Sequence, residues 1–242
     1  MNSAAQPYLF NQLGLDSGSL TMLGTIVHQM SEPGEYRGVS LRNDQREAVF
    51  YVTVEKGSAI NQVNIDLATL AEPSGQASTC GCASSQAGTR HFTLAAKGYA
   101  LYHVSGGPGG FALHVGPSAE TPQPREFDSV ELKGGDLFVA TLLRPGIYSV
   151  RNLALKGPAK AVGEIDVAYP ARGKTAYQPP QAIRVESTAD GFRPGKIKLH
   201  ALQGCIFVCQ TPSRIKIELT RPHDPPSESK AGPLSQSKRR AK

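Results

Sequence analysis

The chain has 242 residues, enough to bury a sizeable core without a metal or a disulfide to hold it, and its 25 Gly and 18 Pro against 39% hydrophobic residues suit many short strands joined by turns. The formal charge of +6 is concentrated at one end: the segment 226–242 holds Lys230, Lys238, Arg239, Arg240 and Lys242 against Glu228. The remainder is close to neutral and lacks the broad basic face that non-specific nucleic-acid binding requires.

The opening residues Met1 to Phe10 carry no basic region followed by an apolar run, so a signal peptide is not expected, and no window reaches a membrane span. A cytoplasmic location follows as the expectation. Four Cys are too few for a disulfide scaffold and read as thiols, metal ligands or core residues.

In chain order, Leu20 to His28 is apolar and fits a strand or a short helix. Phe50, Val52 and Val54 alternate with Tyr51, Thr53 and Glu55, as in a half-buried strand, and Val63, Ile65 and Leu67 repeat the pattern. Residues 1–72 are therefore expected to form an N-terminal β-rich domain. Residues 73–90, with little to bury except Cys80 and Cys82, read as a Gly/Ser/Cys linker. Strand-like runs then extend from Phe92 to Val104 and from Phe111 to Val115, with Ser105 to Gly110 between them as a hairpin tip.

Further strand-like runs cover Ser129–Lys133, Leu137–Leu143, Ile147–Asn152 and Gly163–Val167, punctuated by Gly134-Gly135-Asp136, Pro145-Gly146 and Gly157-Pro158. Residues 91–170 are expected to be a β-sandwich domain, 171–182 a Pro-rich linker, 183–222 a C-terminal β segment and 223–242 a disordered basic tail. A faint repeat is visible, in which Pro33-Gly-Glu-Tyr36 leads to Asn64-Ile-Asp-Leu67 and Pro145-Gly-Ile-Tyr148 to Glu164-Ile-Asp-Val167. The fold class is all-β, with two or three small sandwich-like domains of cupredoxin or immunoglobulin type.

The run from Phe127 to Val139, with Arg144-Pro-Gly-Ile-Tyr-Ser-Val-Arg-Asn152 and Gly163-Glu-Ile-Asp-Val167, resembles the closing strands of a cupredoxin-like domain. Gly191-Phe-Arg-Pro-Gly-Lys-Ile-Lys-Leu199 with Gly204-Cys-Ile-Phe-Val208 is similar to that family's opening strands. Copper-binding members need a thiolate and two imidazoles. Where the resemblance places the thiolate stands Asn152, and near its first histidine stand Ser213 and Arg214. The resemblance thus implies a scaffold without its copper site.

Cys205, Phe207 and Cys209 share one strand face and are expected to line a core. Cys80 and Cys82 are candidate metal ligands or redox thiols, their Cys-x-Cys spacing being marginal for zinc. Hairpin arithmetic sets His103 and His114 on one face as diagonal neighbours, a second candidate pair. Under that alternative zinc or copper would bind; under the leading one no cofactor is expected. His28, His91, His200 and His223 have no partner spacing, and Asp128, Glu131, Asp136, Glu164 and Asp166 alternate with apolar residues as solvated strand faces do.

No nucleophile elbow, metal-binding helix motif or phosphate loop occurs. The function expected is a non-catalytic binding or assembly module, contacting a protein partner or a copy of itself. Lys238, Arg239, Arg240 and Lys242 are candidate contacts, and nucleic acid enters only through this tail.

Overall fold

The computed structural model of the protein describes Leu9 and residues 12–70, 90–118, 126–155, 162–169 and 180–223. The chain begins with β1 (Gly14–Asp16), β2 (Gly24–Met30), β3 (Gly34–Arg42), β4 (Gln45–Glu55), β5 (Gln62–Asp66) and a single helical turn, α1 (Leu67–Leu70). It continues through β6 (Arg90–Ala95), β7 (Gly98–His103), β8 (Phe111–Pro117), β9 (Phe127–Asp128), β10 (Leu137–Thr141), β11 (Gly146–Asn152) and β12 (Val162–Ala168). The last strands are β13 (Ile183–Thr188), β14 (Gly191–Arg193), β15 (Lys196–His200), β16 (Gly204–Cys209) and β17 (Ile215–Pro222). The protein is all-β, and its described residues contain no helix long and apolar enough to cross a membrane.

Three sheets form, ordered β6-β4-β3-β8-β9, β1-β17-β11-β12-β15 and, between them, β14-β13-β16-β10-β2-β7-β5. Each five-stranded sheet covers half of the seven-stranded one, giving two sandwich units. Their topologies match strand for strand: β2 through β9 of the first unit correspond in order to β10, β11, β12, β13, β15, β16, β17 and β1 of the second. Every pairing keeps its sense. β2–β7 and β10–β16 are antiparallel, β5–β7 and β13–β16 parallel, β4–β6 and β12–β15 parallel. The eighth strand of the second unit is β1, supplied from the N-terminal end of the chain.

The units meet where β2 pairs antiparallel with β10. Inward-facing Ile26 and Phe138 are register partners there, so the central sheet buries one continuous face. The core includes Phe50, Tyr102, Phe127, Phe138, Tyr148 and Phe207, all at most 2% exposed. Leu20 to His28 resolves as strand rather than helix over Gly24–Met30.

The pairing crosses the expected domain boundaries. β3, β4 and β5 pair with β8, β6 and β7 across 73–90, and β10, β11 and β12 with β16, β17 and β15 across 171–182. A half-buried strand needs an opposing sheet, and within 1–72 only β3 and β4 pair with each other, within 183–222 only β14, β13 and β16. Most of both linkers, and the tail from residue 224, lie outside the described residues. The repeat is real at Pro33–Tyr36 and Pro145–Tyr148, which open β3 and β11. In each the tyrosine hydroxyl donates to the carbonyl four residues back, Glu32 at 2.9 Å and Arg144 at 2.7 Å. Its second landmark fails, because 64–67 begins in β5 while 164–167 lies in β12, the counterpart of β4.

Candidate functional site

At the end of the second unit, β11 delivers Asn152, β13 delivers Ser187, and the turn before β17 delivers Ser213; all three are buried. Asn152 Nδ2 donates to Ser187 Oγ at 3.1 Å and to Ser213 Oγ at 3.0 Å, and the two hydroxyls lie 3.0 Å apart. Asn152 Oδ1 accepts the backbone N–H groups of Ala154 and Arg214. The network satisfies its own members and exposes no nucleophile. In the first unit Ser40 holds the position equivalent to Asn152, and its buried hydroxyl has no hydrogen-bond partner.

A second buried polar pair lies where the units join. His28 Nδ1 donates to Asp136 Oδ1 at 2.7 Å, and Asp136 Oδ2 accepts the Lys133 N–H at 2.7 Å, closing the turn before β10. The imidazole packs on Phe127 at 4.7 Å between centroids, and its Nε2 lacks a hydrogen-bond partner, with Glu126 Oε1 3.9 Å away. Tyr102 stacks on the same Phe127, and burial raises its phenol far above the ordinary value. Asp136 thus departs from the solvated role expected for it. Periodicity could not have revealed the pair, since its members are 108 residues apart.

Cys205 and Cys209 line the core as expected, both fully buried, and burial pushes each thiol up to about 12. They are inert neutral thiols at physiological pH. Cys80, Cys82, Lys238, Arg239, Arg240 and Lys242 lie outside the described residues. The pairing expected of His103 and His114 does not form. β7 belongs to the central sheet and β8 to the first unit's five-stranded sheet, so Ser105–Gly110 carries the chain between sheets instead of turning a hairpin. Gly107, Gly109 and Gly110 take positive φ in that crossing. His114 instead lies 3.2 Å from Asp128, and His103 faces outward from the opposite sheet. Among the described residues no three His, Cys, Asp or Glu converge on a metal-sized space.

The outward faces of the three sheets differ. The second unit's five-stranded sheet is covered by paired charges: Arg151 and Lys216 both meet Glu218, and His223 meets Asp166. Those two cations hold the Glu218 carboxyl below its ordinary range. The central sheet is aliphatic outside as well as inside. One row across it reads Asp66, His103, Thr25, Val139, Ile206, Arg184, and the next Asn64, Leu101, Val27, Leu137, Val208, Glu186. The six aliphatic residues are part-exposed, and neither other sheet packs on that side. On the first unit's five-stranded sheet an open groove of about 450 Å³ lies over the paired strands β3 and β8, past Arg37, Val39, Leu41, His114 and Pro117.

Comparison of the chain with known protein families, characterised proteins and solved structures finds no match.

Proposed function

We propose that this is a non-catalytic assembly module that binds a second copy of itself through the outer face of its central sheet. The observation that carries the reading is the aliphatic cluster of Val27, Leu101, Leu137, Val139, Ile206 and Val208. Strands apolar on both faces belong in sheets covered on both faces, whereas an antiparallel sheet facing water alternates with polar residues. A contiguous apolar patch rimmed by polar groups marks an interaction surface. The rim suits a like partner: Asp66 stands at one end of the first row and Arg184 at its other end. Two copies face to face about an axis parallel to the strands oppose each Asp66 to an Arg184.

Sedimentation equilibrium at micromolar concentration tests this. Wild type is expected to be a dimer and Val139→Lys a folded monomer, because a part-exposed lysine is tolerated in one copy but not between two. A monomeric wild type would remove the reading.

The proposal includes a cupredoxin-like origin for each unit. The stretches resembling that family's closing strands, β10 to β12, and its opening strands, β14 to β16, pair within one unit but in the reverse of the family's chain order. Asn152 and Ser213, at or beside the positions where the resemblance expects copper ligands, are hydrogen-bonded to each other. Amide and hydroxyl oxygens are poor substitutes for thiolate and imidazole, which fits a scaffold. A reducing, cytoplasmic setting is part of the proposal, in keeping with four Cys in 242 residues, too few for a disulfide scaffold.

A further inference from the structure

The duplicated fold supplies its own comparison for the groove on the first unit. Because β3–β8 and β11–β17 run in the same register, Val39 corresponds to Arg151, His114 to Lys216, Gly116 to Glu218 and Arg37 to Ser149. In the second unit the Glu218 carboxylate lies between two cations, 2.8 Å from Lys216 Nζ and hydrogen-bonded to Arg151. In the first unit the central carboxylate is missing. Gly116 stands in its place, with Arg37 directly opposite it and His114, which is engaged by Asp128, two residues along β8.

The surroundings sharpen the contrast. Arg37 is exposed and, among the described residues, forms no ion pair, while Asp128 is engaged by His114. Glu35 lies two residues along β3 on the same outward side but makes no ion pair with Arg37. Val39, Leu41 and Pro117 make the rest of the groove apolar, where the second unit's face has Arg151. The groove is open to solvent along its length, so a ligand there keeps one side in water.

We propose that this groove binds a small organic carboxylate with an aliphatic body, its carboxylate taking the place that Glu218 fills in the other unit. The Arg37 guanidinium offers the two-pronged donor geometry that matches a carboxylate. The aliphatic body lies along Val39, Leu41 and Pro117, which removes apolar surface from water. The groove opens on the side of the molecule away from the central sheet's outer face. Ligand binding is therefore separate from self-association.

Titration with hexanoate, followed by backbone amide chemical shifts, tests the site. The expected result is saturable binding with shifts confined to β3 and β8, weakened at least about tenfold by Arg37→Gln, as loss of a charge-assisted hydrogen bond implies. Gly116→Glu supplies the internal carboxylate and is expected to abolish binding, while Arg37→Gln, which adds no bulk, guards against misfolding as the cause. Hexanol and acetate, lacking the charge and the body respectively, are expected to bind far more weakly. No saturable shift in β3 and β8, hexanoate binding to Gly116→Glu as to wild type, or equal displacement by inorganic phosphate would overturn the assignment. Sedimentation of the wild type keeps the two proposals apart: a wild-type dimer that ignores hexanoate sinks only the ligand site, and a wild-type monomer that binds it sinks only the self-association.

Discussion

Burial, more than any partner, sets the chemistry of the two described thiols. Cys205 and Cys209 face the core from β16, and with thiols pushed up to about 12 they stay protonated where an ordinary cysteine begins to ionise. In a Cys80→Ser, Cys82→Ser background the native protein is expected to ignore a thiol reagent at pH 8 and to react fully in denaturant; rapid native reaction would refute their burial. Between about 9 and about 12 the unfolded chain has released these protons and the folded chain has not, so stability falls as pH rises through that window. His28 and Asp136 form the opposite kind of buried group, one that depends on its partner. Asp136→Ala strands the imidazole and opens the turn before β10, and is expected to cost about 3–5 kcal/mol in urea unfolding, as broken buried pairs do.

At the scale of single elements, alternation makes most strands legible, because burial on one face leaves a period of two wherever the other face is wet. It reports which face is buried and is silent about which strand lies alongside. For that reason β7 and β8 read as a hairpin although they lie in different sheets, and His103 and His114 as neighbours although they point to opposite sides. The strand-or-helix ambiguity of Leu20 to His28 has a related cause: β2 is apolar on both faces, Val27 outside as well as Ile26 inside, so no period marks it. Glycine illustrates what a strand pattern hides. Gly38 lies within β3, and a Cβ there would come 2.1 Å from the Phe50 ring. Gly57, in the turn after β4, has nothing within 4 Å. Gly38→Ala is expected to destabilise by about 1–3 kcal/mol through overpacking, and Gly57→Ala to leave the thermal midpoint nearly unchanged. Equal effects at the two sites would contradict the packing of Phe50 on β3.

Over the whole molecule, two units of the same topology share one sheet, an arrangement hidden from a linear reading for a physical reason. The repeat survives where the backbone needs particular residues, at Pro-Gly-x-Tyr, and has been lost where any residue of suitable polarity serves. The candidate surfaces were equally hidden, since they arise from strands distant in sequence that become neighbours only in the sheet. The order of strands also gives the second unit an unusual dependence. Its eighth strand, β1, precedes the entire first unit, burying Leu15 and setting Asp16 against Arg214 through two hydrogen bonds at 3.1 and 3.0 Å. Ser17 completes the seam by accepting the Ile215 N–H. Deleting residues 1–17 therefore removes a core side chain from a unit that begins some 120 residues later, a loss of about 1.5–3 kcal/mol for Leu15 alone. Hydrogen exchange locates the damage: Ile215 to Leu219 are expected to lose protection while β3 and β4 in the first unit keep theirs. Uniform loss across both units would mean that the shared sheet unfolds as one body, and unchanged protection in β17 would show that β1 contributes nothing to the second unit.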